Sequence, residues 1–147
     1  ESIRQQMPDF LPDGAEAGTL NVPGIAGLDA GMEFVGRLNQ QDILNIERIQ
    51  LKRCVAGLKE LGYRVFAGAE QCGTVSFVPD MDCEELADKL GKQGVCVRAG
   101  LHCAPLAHES AGTLETGTVR VSFGYDANAR QTESLLQGLR RIRDVSK

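Results

Sequence analysis

The chain has no run of eighteen apolar residues, no excess of basic residues and no paired cysteine spacing. The first absence excludes a membrane-spanning helix. The second removes the basic stripe that tracks nucleic acid: charges of both signs are interspersed, aromatics make up only 5%, and the formal net charge is -4. The third leaves five cysteines, an odd number, scattered at positions 54, 72, 83, 96 and 103. They read as reduced thiols and not as a disulfide framework. Most are expected to be small core residues, since free cysteine is among the most buried residue types. The N-terminal stretch also lacks the charged segment, apolar core and cleavage site of a secretory signal, so a cytoplasmic location is expected.

What is present suits one packed domain: 147 residues, 42% of them apolar. Residues 1–14, with Pro8, Pro12 and Gly14, read as an extended lead-in. Pro23 then sits where a first helical residue can lack its N–H, and Ile25, Leu28, Met32 and Val35 recur at helical spacing. A longer helix is expected from about Asp42 to Leu61, with Leu44, Leu51, Val55 and Leu58 on one face and Gly62 as its stop.

After Gly62 the period changes from helix to strand. Tyr63 to Ala67 and Thr74 to Val78 predict an antiparallel pair. Asp82 and Glu85 make a capping-box-like start for a helix whose stripe is Cys83, Leu86, Ala87 and Leu90, ended by Gly94. Val95 to Val97 is expected as a third strand and Thr118 to Phe123 as a fourth, with Val119, Val121 and Phe123 on one face and Arg120 and Ser122 on the other. Asn128 can cap a final helix with Leu135, Leu136, Leu139 and Ile142 buried. The fold class is therefore α+β: helices covering a small, mostly antiparallel sheet.

Chemistry is expected in the stretch VCVRAGLHCAPLAH, Val95 to His108, which holds both histidines and two of the cysteines. Cys103 follows His102 in a loop opened by Gly100, and a neighbouring cation such as Arg98, or a histidine acting as acid and base, would favour its thiolate. The alternative is that Cys103 is another small buried residue. A zinc set of Cys96, His102, Cys103 and His108 is also conceivable, but no two of these ligands have the spacing that places them on one turn. Arg120 is either a solvated residue of a sheet face or a bidentate clamp for a carboxylate. Gly18, Thr19 and Asn21 precede a helix start, where backbone N–H groups and the helix dipole make a seat for phosphate.

Taken together in order, the EAGTLN loop (Glu16 to Asn21), the RAGLHC loop (Arg98 to Cys103) and the strand-borne Arg120 resemble the C-terminal part of the class V aminotransferase superfamily, most closely the cysteine desulfurase and selenocysteine lyase group. The resemblance runs from Ala15 to Ile142. It implies a fold-type I transferase's C-terminal small domain over residues 41–147, preceded by a lead-in loop and helix over residues 1–40 that return from a large domain. It implies pyridoxal phosphate as cofactor, L-cysteine as substrate, a homodimer and a sulfur-acceptor protein as partner. Cys103 would carry the persulfide and Arg120 the substrate carboxylate, with Arg98 and His102 orienting substrate or tuning the thiol. Thr19 would reach the cofactor phosphate of the other subunit, with Gly18 allowing close approach.

Two departures accompany the resemblance. Leu101 stands where the longer motif has a first histidine, which leaves an aminotransferase, epimerase or lyase of the same fold as an alternative, beside a non-catalytic binding or sulfur-accepting domain. The lysines, at 52, 59, 89, 92 and 147, include none after a histidine, where the family places its Schiff-base lysine. The chain alone is therefore expected to be inactive and to bind the cofactor poorly.

Overall fold

The computed structural model describes residues 8–16 and 18–145, which form two compact units, up to Asn39 and from Gln40 onward. The first unit holds a short 3-10 helix, Asp13–Ala15, and helix α1, Val22–Gly36. Asn21 caps α1 by accepting the Gly24 N–H at 3.1 Å, and Pro23 occupies the first turn, where no N–H is needed. No residue of α1 is buried. Ile25, Leu28, Met32 and Val35, spaced as one helical face, are all exposed, as are Val22 and Phe34. The helix is apolar on most sides, a composition that needs partners on more than one face.

The second unit runs α2 (Gln40–Glu60), β1 (Arg64–Phe66), β2 (Thr74–Val78), α3 (Cys83–Gly91), β3 (Arg98–Gly100), α4 (Pro105–Ala111), β4 (Thr118–Ser122) and α5 (Ala129–Val145). The strands form one antiparallel sheet in the order β1-β2-β4-β3. Period-two alternation gives the sheet two unlike faces. Val75, Phe77, Val119 and Val121 point into the core, where they meet Leu51, Cys54 and Leu58 of α2, Leu86 and Leu90 of α3, and Leu135, Leu136 and Leu139 of α5.

Local chemistry explains the helix ends. Asp82 accepts the N–H groups of Glu84 and Glu85, each at 2.9 Å, to start α3. The Asn128 carboxamide does the same for Arg130 and Gln131 at the start of α5. Gly62, at φ 82°, turns the chain out of α2 into β1, a conformation that side-chain-bearing residues adopt at a cost. Gly57 has no side chain because a Cβ there would overlap Leu136, so α2 and α5 pack in close contact. Beside that contact the Thr132 hydroxyl donates to Gln50 Oε1 at 2.8 Å, which satisfies both buried groups.

Three expectations need correction. The third strand is Arg98–Gly100, not Val95 to Val97: Val95 and Val97 pack sideways against the core, and the ladder to β4 starts only at Arg98. Residues 105–111 are helix α4 and not loop, so His108 is a buried helical residue. Burial of most cysteines also fails, since only Cys54 and Cys83 are buried; Cys72, Cys96 and Cys103 lie in turns and connections outside the core and are exposed.

Candidate functional site

The polar face of the sheet carries the site. Register aligns Phe66 with Ser76, Ser76 with Arg120, and Arg120 with Arg98. Paired residues project to the same side, so these four form one row across all four strands. Two guanidiniums thus stand on directly opposed positions, an arrangement that costs stability where nothing neutralises it. Among the described residues neither Arg98 nor Arg120 has a carboxylate partner. The Nε of Arg120 is buried and has no hydrogen-bond partner. Such donors suit an oxyanion, a planar carboxylate or a phosphate, held by paired charge-assisted hydrogen bonds.

The chain turns sharply beyond β3. Gly100 has φ 102°, and the next two residues with positive φ are not glycines: His102 at 51° and Cys103 at 59°. Consecutive left-handed residues with side chains are uncommon and cost energy, and such strain gathers at functional positions. Here it directs His102 inward and leaves Cys103 exposed. The return into β4 passes Gly117, φ 62°, where a Cβ would lie 3.1 Å from Cys83 Sγ and 3.2 Å from Gly100 Cα.

His102 is held by polar contacts at the centre of the cluster. Its Nε2 lies 3.1 Å from the Thr118 hydroxyl, while its Nδ1 is buried without a partner. Burial holds the imidazole below its ordinary value, and the nearby Arg120, His108 and Arg98 add to that; only the Thr118 contact opposes it. The ring is neutral at pH 7 and keeps one nitrogen able to accept a proton. His108, 5.8 Å away between ring centres, is itself fixed by Thr113, whose hydroxyl lies 2.8 Å from its Nδ1. Thr113 and Thr118 were not singled out by sequence; the alternation that places Arg120 on this face places Thr118 there too, and that was the available signal.

The residues expected at the site fall into two groups. Arg98, His102, Cys103 and Arg120 belong to the second unit and surround one end of the sheet's polar face. Gly18 and Thr19 belong to the first unit, in an exposed turn just before α1. A Cβ at Gly18 would meet nothing within 4 Å. The described lysines stand elsewhere: Lys52 and Lys59 on α2, Lys89 on α3 and Lys92 at its C-terminal cap, the last two in ion pairs with Glu85 and Asp88. Both helices pack on the apolar side of the sheet. Among the described residues the cluster therefore offers an anion seat, a neutral imidazole and an exposed thiol, but no amine for an aldehyde cofactor.

Among the described residues no helix is long and apolar enough to cross a membrane, and no group of three metal-ligating side chains gathers. A probable cysteine desulfurase of Pyrococcus abyssi is 32% identical over 89% of this chain, which covers 33% of that protein. The apo structure of a cysteine desulfurase from Thermococcus onnurineus NA1 superposes with a TM-score of 0.80 at 32% identity, over 89% of this chain and 33% of that one. The Escherichia coli cysteine desulfurase CsdA, solved in an S-sulfonic acid form, gives a TM-score of 0.79 at 26% identity, over 88% of this chain and 32% of that one. The chain thus spans between about a fifth and a third of the length of the curated relatives it matches. The family model for aminotransferase class-V matches residues 3–135, most of the sequence, and the chain belongs to the class-V aminotransferase family.

Proposed function

We propose that this chain supplies the thiol-bearing, carboxylate-binding part of a pyridoxal-phosphate-dependent cysteine desulfurase, which converts L-cysteine to L-alanine and holds the sulfur as a persulfide on Cys103. The observation that carries this reading is an exposed thiol on a left-handed turn next to an arginine pair that lacks a carboxylate. Its relatives are named cysteine desulfurases, which agrees with that chemistry.

In this reading Arg120, with Arg98 beside it, takes the α-carboxylate of L-cysteine. Neutral His102 can accept a proton from the Cys103 thiol or from substrate, since its charged form is disfavoured where it sits. Pyridoxal phosphate supplies an electron sink when bound. The described residues fit it only in part, because no lysine stands at the cluster, so its ring chemistry is not assigned to this chain. Gly18 and Thr19 are read as belonging to a phosphate seat completed across a homodimer. A cytoplasmic location and a sulfur-acceptor protein complete the proposal.

The test is alanine and sulfide release from L-cysteine by the longest natural polypeptide that carries this sequence, with mass-spectrometric trapping of the persulfide. Cys103→Ala is expected to abolish sulfur transfer. Unchanged turnover in that variant would remove the persulfide role and favour an aminotransferase, epimerase or lyase. The 147-residue chain alone is expected to release neither product and to give no borohydride-reducible adduct with the cofactor. A clear adduct would overturn the reading of its lysines.

A further inference from the structure

Arg64 has no part in the site described above, yet it touches the helix that follows the thiol-bearing turn. It begins β1, at the sheet edge opposite β3. Its Nη2 donates a 2.7 Å hydrogen bond to the carbonyl of Ala111, the last residue of α4. Its guanidinium carbon lies 4.8 Å from the centre of the Phe66 ring, two residues along the same strand face. A helix's last carbonyls lack intrahelical donors and form the negative end of its dipole, so a cation that donates there is doubly favoured.

The other end of α4 is held as well. His102, three residues before Pro105, contacts Thr118, and register places Arg64 opposite Val78 and Gly100 opposite Thr118. Val78 and Thr118 each lie one step beyond the Phe77 and Val119 pair, so Arg64, Val78, Thr118 and Gly100 form a row parallel to the arginine row. Three interstrand spacings span roughly 14 Å. A seven-residue helix is about 10 Å long, and the reach of His102 and Arg64 covers the rest. Helix α4 is thus a bar pinned at both ends along the row next to Arg98 and Arg120.

We infer that Arg64 is a positioning residue: by fixing the C-terminal end of α4 it holds the left-handed His102 and Cys103 turn that presents the thiol. The value of this to catalysis rests on the role proposed for Cys103, but the latch itself does not. Hydrogen exchange read by mass spectrometry on the 147-residue chain tests it. Arg64→Ala is expected to speed exchange over residues 103–112 by about fivefold, the loss of one charge-assisted hydrogen bond at an exposed site, and to leave residues 74–78 and 118–122 unchanged. Arg64→Lys, which keeps a charged donor, is expected to restore most of the protection, whereas Arg64→Met, which keeps length without a donor, is expected to behave like alanine.

Wild-type exchange over residues 103–112 in Arg64→Ala would show that there is no latch. Faster exchange in β2 and β4 as well would make Arg64 a general stabiliser and overturn the inference. No sulfur chemistry enters either measurement, so the latch and the desulfurase reading fail separately.

Discussion

The two faces of the sheet in the second unit are built from the same strands and obey opposite rules. On one, Val75, Phe77 and Val119 are almost wholly buried, and every side chain has apolar neighbours. On the other, Arg98 and Arg120 face each other without an acid, and buried nitrogens of His102 and Arg120 lack partners. The first face accounts for stability and asks for nothing further. The second retains unmet donors and like charges, which a fold tolerates where a ligand is to meet them. The same contrast separates the thiols: burial pushes Cys54 in α2 up to about 12, while Cys103 stands in solvent on the polar side.

The sharpest way to break the comparison is thiol labelling. Iodoacetamide is expected to modify Cys72, Cys96 and Cys103 in the native chain and to reach Cys54 only on unfolding, a rate difference of at least about a thousandfold for a unit of ordinary stability. Prompt labelling of Cys54, read by peptide mass spectrometry, would mean that the apolar face is not sealed. Next in size is a pair of substitutions. Phe77→Ala, which empties a fully buried site, is expected to cost about 3–5 kcal/mol. Arg120→Gln, one step along another strand on the opposite face, should change stability by less than about 1 kcal/mol, because no ion pair is lost. Urea unfolding midpoints decide it; equal losses would erase the distinction.

The smallest expected effect is a pH dependence. His102 titrates below its ordinary value of 6.5 in the folded chain, so the unfolded chain binds more protons in the interval between the two. Stability is therefore level above 6.5, falls as pH drops from there through the lower folded value, and levels again below it. His102→Asn, chosen because asparagine tolerates positive φ, is expected to flatten this segment of the profile. A profile that keeps its full slope in the variant would assign the effect to another group.

Much of the apolar face was legible in the sequence. Thr74 to Val78 was delimited at both ends, Val119 and Val121 were placed inward, and the α3 and α5 stripes are buried apart from the half-buried Ala87. The cap at Asp82 was legible because its chemistry is local. The polar face was half legible: alternation turned Arg120 away from the core, but its pairing with Arg98 depends on the register of a three-residue strand that carries almost no pattern. Helix α4 was missed because seven residues are too few to show a period, although Pro105 marked its start. The left-handed turn at His102 and Cys103 leaves no signature, since neither residue type demands it. Exposure of three cysteines ran against a general preference that local placement outweighed.

The alternation has a consequence for counting. In β1, β2, β3 and β4 alike, the even-numbered residues (Arg64 and Phe66; Thr74, Ser76 and Val78; Arg98 and Gly100; Thr118, Arg120 and Ser122) share the polar face, and the odd-numbered ones share the core. Adding or deleting one residue inside a strand exchanges the two sets beyond that point, while a change of two preserves them. The turn from Gly112 to Gly117 lies outside the ladder and is free of this constraint. Any alignment that opens a one-residue gap within residues 74–78 or 118–122 must therefore supply a bulge to absorb it, or it has matched an arginine to a valine position.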